Sequence, residues 1–554
     1  MRLVRNPSGY SERFPTSGND TGVSLHVAVL VTALLVIAAV SFFSDIALAE
    51  TCNQWVAKLV SAQGSVEAKK AGEEQWLPVK LNDTYCQGDM IRVLERSRAA
   101  IMLTTHPTLR LNQDTTVTFN GVEKEKTSLI ELLKGAVHFF SRYPRSLKVM
   151  TPFVNAAVEG TEFYVRVDDD KTFLSIFEGQ VLASNKAGSL MLTDGQSAIA
   201  EADKAPVSYI VVRPRDAVQW ALYYPPVISR YEEFKESDPR FYINRASSLL
   251  SVGRVEEAKA EIEKALTINP NNSQAFGLQS VIAVTQNEKE KALNLAKKAV
   301  ENDPKSASAR IALSYAQQAS FDLKNSLESL KQAVQVEPEN ALAWARLAEI
   351  WMSFGELDEA LNAANKAVSL DPNLSRTQTV IGYAYLTQIN TKEAIATFEK
   401  AIELDQADPL PRLGLGLAKI REGDLHGGRR EIEIAATLDP GNSLIRSYLG
   451  KAYYEEKRDK MSEDQLKTAE EFDPSGPTPY FYDAIRKQTI NRPVEALHDM
   501  QKAIELNDNR MIYRSGLLLD SDLAARSASL GRIYTDLGFQ QLALLDSAKF
   551  SWEL

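Results

Sequence analysis

The chain has 554 residues, 44% of them hydrophobic and 25% charged, with a formal net charge of −10. This is ordinary globular material, long enough for several domains. The acidic balance excludes a general grip on nucleic acid, which needs a basic face, and a polybasic hold on a membrane surface.

Residues 1–49 read as a secretory signal. Arg2, Arg5 and Arg13 precede an apolar run from Leu25 to Phe43, and Ala47-Leu48-Ala49 offers a small-x-small cleavage site before Glu50. Cleavage after Ala49 is the expectation. The alternative is an uncleaved anchor that ties the chain to the inner membrane, because the run is long enough for the ~20 residues a bilayer crossing needs. In both cases the bulk of the chain is exported, and no second spanning segment follows.

The two cysteines, Cys52 and Cys86, lie just after the signal. In an oxidising compartment they read as one disulfide. Closing a loop of that length stabilises by about 3.5–4 kcal/mol in the chain-entropy account. The alternatives are a reactive thiol or half of a metal site, and the spacing without a nearby histidine speaks against zinc.

Residues 50–212 carry a period of two. Short apolar alternations, such as Asp89 to Val93, Ala99 to Leu103 and Thr115 to Phe119, recur between closely spaced turn signals. That pattern predicts an all-β sandwich, roll or solenoid, with one helical turn at Leu129 to Leu133. In the stretch TPFVNAAVEGTEFYVRVDDDKTFLSIFEGQV, residues 151–181, strands are predicted over Thr161–Val167 and Thr172–Phe177, joined by a turn at Asp168 to Lys171. Gly160 and Gly179 are read as structural glycines, where the chain bends or another strand passes closely. The aspartates lack the spaced ligands of a calcium loop. Glu159 and Glu162 have no flanking nucleophile or base with a readable role, and are expected to be exposed charges at strand ends.

Residues 213–238 form a linker. Asp216 is placed to cap a short helix through Leu222, which Tyr223-Tyr224-Pro225-Pro226 stops. From Pro239 the chain repeats. Prolines fall at 270, 304, 338, 372, 440 and 474, each separated from the last by one constant interval or a multiple of it, and eight windows of that length tile residues 239–510. Alanines recur five positions before that column, from Ala265 to Ala503, and Gly382, Gly416 and Gly450 share another. Small residues let two helices cross closely, and the proline stops the second helix before the next unit begins. Each unit has an apolar face it cannot bury alone, so the units stack into a superhelix. Gln406 and Asp508 interrupt the proline column. Gly427-Gly428 is expected in the turn between the two helices of one repeat. Residues 511–554 hold an insertion and a final incomplete repeat.

No phosphate-binding loop, zinc helix or nucleophile elbow is present, and the five histidines share no ligand spacing. No catalytic residue, metal or cofactor is assigned, and the chain reads as non-enzymatic. By register, the inward seats of the first helices form a candidate partner groove: Tyr315, Glu349, Tyr383, Leu386, Leu417, Lys451, Tyr454 and Phe481. Aromatic and aliphatic seats along a groove suit an extended peptide or helix. The alternative for each is inter-helix core.

GSVEAKK, QGDMIRVLERSRAAIMLT, TLRLNQDTTVTF, TPFVNAAVEGTEFYV, FEGQVLAS and DGQSAIA carry a resemblance of residues 52–200 to the FecR domain of bacterial envelope proteins. Residues 239–510 resemble tetratricopeptide repeats, and VRPRDAVQWALYYPPV joins the two parts as in exported FecR-domain/tetratricopeptide proteins. The resemblance implies a multi-domain chain, an all-β FecR-like roll or solenoid followed by an all-α superhelix. It implies a periplasmic or otherwise exported protein that docks to an envelope protein or peptide. In the regulator branch the β-domain passes a signal to a cytoplasmic anti-sigma segment. Here only about two dozen residues precede the apolar run, too few for such a segment, which favours a scaffold over a signal-transducing sensor. A glycan-binding β-domain is a third reading. Relatives continue past the position of Leu554, which implies a short or truncated member.

Overall fold

The computed structural model describes residues 54–124, 126–211, 214–228, 234–508 and 523–544. Cys52 and the expected signal lie outside them.

The first region is a sheet of fifteen strands in chain order: β1 (Ala57–Gln63), β2 (Val66–Lys69), β3 (Leu77–Pro78), β4 (Thr84–Tyr85), β5 (Met90–Val93), β6 (Arg98–Leu103), β7 (Thr108–Leu111), β8 (Thr115–Glu123), β9 (Thr127–Phe140), β10 (Pro144–Met150), β11 (Asn155–Val167), β12 (Lys171–Asn185), β13 (Gly188–Leu192), β14 (Ser197–Glu201) and β15 (Val207–Tyr209). Three long strands stitch it together. The first half of β9 pairs with β8 and, in parallel, with β10; its second half pairs with β7 and β11. β11 and β12 form a long antiparallel ribbon whose turn closes with Asp168 N–H donating to Lys171 O at 2.9 Å. Inward residues such as Leu59, Ile101, Val137, Phe139 and Phe163 make one apolar core.

The helical turn expected at Leu129 to Leu133 is strand, in the middle of β9. Its apolar spacing resembles a helix face, yet Ser128, Ile130 and Leu132 are buried while Leu133 is exposed. Partners on both sides take the backbone hydrogen bonds a helix would have kept for itself.

The second region is a stack of helix pairs. The first helices begin at one constant interval along the chain: α1 (Pro239–Ser251), α3 (Ser273–Thr285), α5 (Ala307–Ala319), α7 (Ala341–Ser353), α9 (Ser375–Thr387), α11 (Pro409–Arg421), α13 (Ser443–Glu455) and α15 (Pro477–Thr489). Their partners are α2 (Val255–Ile268), α4 (Lys289–Asn302), α6 (Leu323–Val336), α8 (Leu357–Leu370), α10 (Thr391–Leu404), α12 (Leu425–Leu438), α14 (Asp459–Phe472) and α16 (Pro493–Asp508), and α17 (Leu523–Asp536) follows.

Several columns produce this regularity. Asp238, Asn272, Ser306, Asn340, Asp408 and Asn442 each accept a hydrogen bond from a first-turn N–H of the next helix. The turn inside each pair has one residue of positive φ, again at the repeat interval: Gly253, Asn287, Phe321, Gly355, Ile389, Gly423, Lys457 and Asn491. Gly428 lies within the first turns of α12, not in the inter-helix turn. A Cβ on its crossing partner Gly416 would come 2.7 Å from Gly428 O, so the pair marks the point where two helix backbones touch.

Between the two regions, a 3-10 helix spans Pro214–Ala221 and residues 222–228 run without regular structure.

Candidate functional site: the junction and the channel

Glu162 sits at the bulge of β11, where the pairing register with β12 shifts. It is fully buried, contrary to the exposed strand-end charge expected from sequence. The reason is a partner far along the chain, in the other region. Arg446, on α13, clamps the carboxylate with Nη2 at 2.7 Å from Oε1 and Nη1 at 2.9 Å from Oε2. Arg142 Nη2 donates to Oε2 at 3.0 Å and His138 Nε2 lies 3.0 Å from Oε1. Burial alone would push Glu162 up, but Arg446, His138 and Arg142 outweigh it and hold the carboxyl well below its usual range. Burial draws His138 below its ordinary value against the opposing pull of Glu162. The carboxylate can only accept, so His138 Nε2 carries the proton of this hydrogen bond.

The contact continues across β1, β6 and α12, where Val60 and Ala100 pack on Ile434 and Leu438. Arg412 Nη2 donates to Val60 O at 2.9 Å, and Gln406 Oε1 accepts from Ala62 N at 2.9 Å. These two residues show how the arm departs from its own rule to dock the sheet. In other repeats the fourth residue of the first helix donates to the carbonyl of the column proline: Arg310 to Pro304, Trp344 to Pro338, Gln378 to Pro372, Arg446 to Pro440 and Tyr480 to Pro474. At the start of the sixth repeat the column holds Gln406, and both Gln406 and Arg412 turn to β1. His106 completes the seam, stacked on Tyr143 at 4.5 Å and edge-on to His426 at 5.9 Å. Burial, with Arg430 and Arg429 nearby, pushes His106 down to about 4.

The arm curls far enough for its second repeat to reach its seventh. Asn287 Nδ2 donates to Phe472 O at 3.3 Å, and Lys289 Nζ lies 3.6 Å from Asp473 Oδ1. Inside this turn lies the linker. Arg98 of β6, itself buried, donates Nη1 to Trp220 O at 3.1 Å and to Leu222 O at 3.0 Å, and Nη2 to Ser251 O at 2.8 Å. The Tyr223 N–H donates to the Asp439 carboxylate. Beside the linker remains a cavity of about 320 Å³, lined by Leu222, Tyr223 and Pro225 and by residues of α3, α5, α7, α9, α11, α13 and α15. These are the first helices of seven successive repeats, so the cavity belongs to the inner face of the superhelix.

Two of the groove residues meet there. Glu349 accepts from Arg346 Nη1 and Arg376 Nη2, both at 2.6 Å, and the Tyr315 hydroxyl accepts from Arg376 Nη2 at 3.2 Å while its ring carries the Arg346 guanidinium at 3.8 Å. The others are placed apart. Tyr383 is buried against Phe398 and donates its hydroxyl proton to Leu410 O at 2.7 Å. Leu386 and Leu417 are buried in the repeat core, and Phe481 packs on Tyr482. Lys451 Nζ sits 5.5 Å over the Tyr482 ring, and Tyr454 is half-buried near the end of α13. Sequence reasoning missed Arg446, Arg98, Arg346 and Arg376. Of these only Arg446 had a signal, its place in the column that also holds Arg310 and Arg412.

Gly160 has φ +61°, and a Cβ there would make only ordinary contacts, 3.9 Å from Arg142 O and Pro144 N; Gly179 has φ +88°, and a Cβ there would lie 2.7 Å from Gly160 O. Cys86 N–H donates to Asp89 Oδ2 at 2.9 Å. Among the described residues, no group of three or more histidines, cysteines or carboxylates is placed to hold a metal ion.

A single sheet domain locked to a helical-repeat superhelix is the architecture these contacts define. Residues 89–182 match the FecR protein family, and residues 239–272, 317–381 and 375–408 match tetratricopeptide repeat families. The chain is a FecR-domain protein with tetratricopeptide repeats. Tetratricopeptide repeats generally mediate protein–protein interaction, and the pair of modules fits a protein-interaction or regulator-like role. No curated protein matches the chain. Among solved structures, the APC/C hetero-tetramer Cut9-Hcn1 is 19% identical, covers 51% of this chain and 56% of its own, and superposes with a TM-score of 0.41. A thermophilic TPR protein of Thermus thermophilus is 23% identical over 33% of this chain and 99% of its own, with a TM-score of 0.30. A candidate anti-sigma factor from Parabacteroides distasonis ATCC 8503 is 17% identical over 24% of this chain and 67% of its own, with a TM-score of 0.22.

Proposed function

We propose that the chain is a non-enzymatic, exported scaffold of the bacterial envelope, in which the FecR domain and the repeat arm act together to hold another protein. The observation that supports this reading most is the Glu162–Arg446 clamp. It joins the two modules through a buried, bidentate ion pair, so that a partner meets one composite surface. Export rests on the charged, apolar and cleavable order of residues 1–49. The Cys52–Cys86 disulfide belongs to the same reading, and labelling under denaturing, non-reducing conditions should then find no free thiol. Among the described residues no helix is long and apolar enough to cross a membrane.

N-terminal sequencing of the mature protein should begin at Glu50. Crosslinking in intact cells should place the chain in a reproducible complex with a second envelope protein. A chain that starts at Met1 would turn the apolar run into an anchor, and crosslinks confined to the chain itself would overturn the scaffold.

The sensor reading draws on the same clamp, because a carboxylate shared by both modules would carry a change in β11 directly to α13. The glycan reading has less support: among the described β-domain residues, the exposed large aromatic side chain is Tyr209.

A further inference from the structure

Three observations concern the linker inside the superhelix. First, the polar contacts that hold Trp220, Leu222 and Tyr223 from the sheet and the arm are made to their backbone. Arg98 holds the carbonyls of Trp220 and Leu222, and Asp439 holds the N–H of Tyr223. Such contacts are available to any extended chain, whatever its side chains. Second, the fill is incomplete. Protein interiors hold few voids larger than a water molecule, yet about 320 Å³ lies open beside Tyr223 and Pro225. Arg376 Nε and Nη1 and Gln318 Nε2, on residues that line this cavity, are buried without a hydrogen-bond partner. Third, the anchoring is uneven. Val218 and Ala221 are buried against the sheet, and Val227 and Ile228 against the first repeats; between them Tyr224 is buried in the repeat core, whereas Leu222, Tyr223 and Pro225 are only half-buried.

We propose that Leu222–Pro225 is a built-in, displaceable occupant of the superhelix channel, and that the channel takes an extended partner segment of the same chemistry: consecutive aromatic residues followed by proline, with main-chain acceptors for Arg98 and Arg376. This deepens the scaffold reading and rests on it. Two prolines hold such a segment extended before it binds, which lowers the ordering cost. The tethered occupant competes at high effective concentration, so the resting chain binds partners weakly and binds them better once the occupant leaves.

The test uses the full mature chain and a fluorescein-labelled peptide with the sequence AVQWALYYPPVI, residues 217–228. The double variant Leu222→Ala/Tyr223→Ala should bind this probe at least ~10-fold more tightly than the parent, and a scrambled peptide should not compete. Equal binding by both chains overturns the proposal. Hydrogen exchange on the unaltered chain decides the matter if the variant does not fold. The amides of Leu222 and Tyr223 should exchange through an opening that leaves α3 to α13 protected; exchange only with global unfolding makes the segment ordinary core and sinks the idea. Crosslinking separates the two readings. A partner captured equally by parent and variant keeps the scaffold and removes the channel, while absence of any partner removes the scaffold and leaves the exchange result to judge the occupant.

Discussion

The sheet and the arm bury charge in opposite ways. In the arm, ion pairs are mostly local, as between Arg429 and Glu433 or Arg486 and Asp483, one helical turn apart. In the sheet, Glu162 depends on groups from β9, the segment after it, and α13. A repeat can lose a local pair and adjust within itself, because most of a unit's packing is against its immediate neighbours. Glu162 has no such freedom, since its removal leaves two buried guanidinium groups without this counter-charge. The difference locates the fragile point of the molecule at the meeting of its two regions.

Glu162→Ala tests this most severely. It should destabilise the protein by about 3–5 kcal/mol, the range for breaking a buried pair on one side, and split one calorimetric transition into separate sheet and arm transitions. A single unshifted transition would show the clamp to be dispensable. The pH dependence follows the same group. Because the folded carboxyl is held low, its contribution is complete above the usual carboxylate range and is lost as pH falls through the depressed value. The parent should therefore loosen at this junction only in strong acid, and the variant should lose less over that window.

A smaller effect separates the two structural glycines. Gly179→Ala meets both positive φ and a backbone oxygen, and should cost about 2 kcal/mol or more; Gly160→Ala meets only positive φ and should cost about 1 kcal/mol. Equal urea midpoints for the two variants would mean that the β11–β12 crossing is looser than its geometry. The smallest effect is a gain in the arm. Ile389 is exposed and holds φ +66° in a column where five of the eight repeats place glycine or asparagine. Ile389→Gly should raise stability by about 0.5–1 kcal/mol, as relief of a strained β-branched residue outweighs the entropy of glycine. A loss there would show that the arm tolerates the left-handed turn without strain.

The arm was almost fully legible in sequence because its rules are local and recur at one interval; even its caps and left-handed turns stand in columns. Gln406 was visible as a break in the proline column, although its meaning needed the sheet that docks on it. The sheet was legible as alternation, but at Leu129 to Leu133 apolar spacing could not report which strands lie on either side. Glu162 could not be placed at all. No local pattern announces a partner in another domain, and a glutamate beside a bulge looks like surface until that partner is known. The occupied channel was invisible for the same reason, since Tyr223-Tyr224-Pro225-Pro226 reads equally well as a stop signal.

The contact from Asn287 and Lys289 to Phe472 and Asp473 has a mechanical meaning. An open solenoid lengthens under tension by changing its pitch, like a spring. A turn whose second coil is fastened to its seventh cannot lengthen until that fastening yields, so it responds as a washer does. Load applied at the far end of the arm passes directly to the early repeats and, through Ser251 and Arg98, into the sheet.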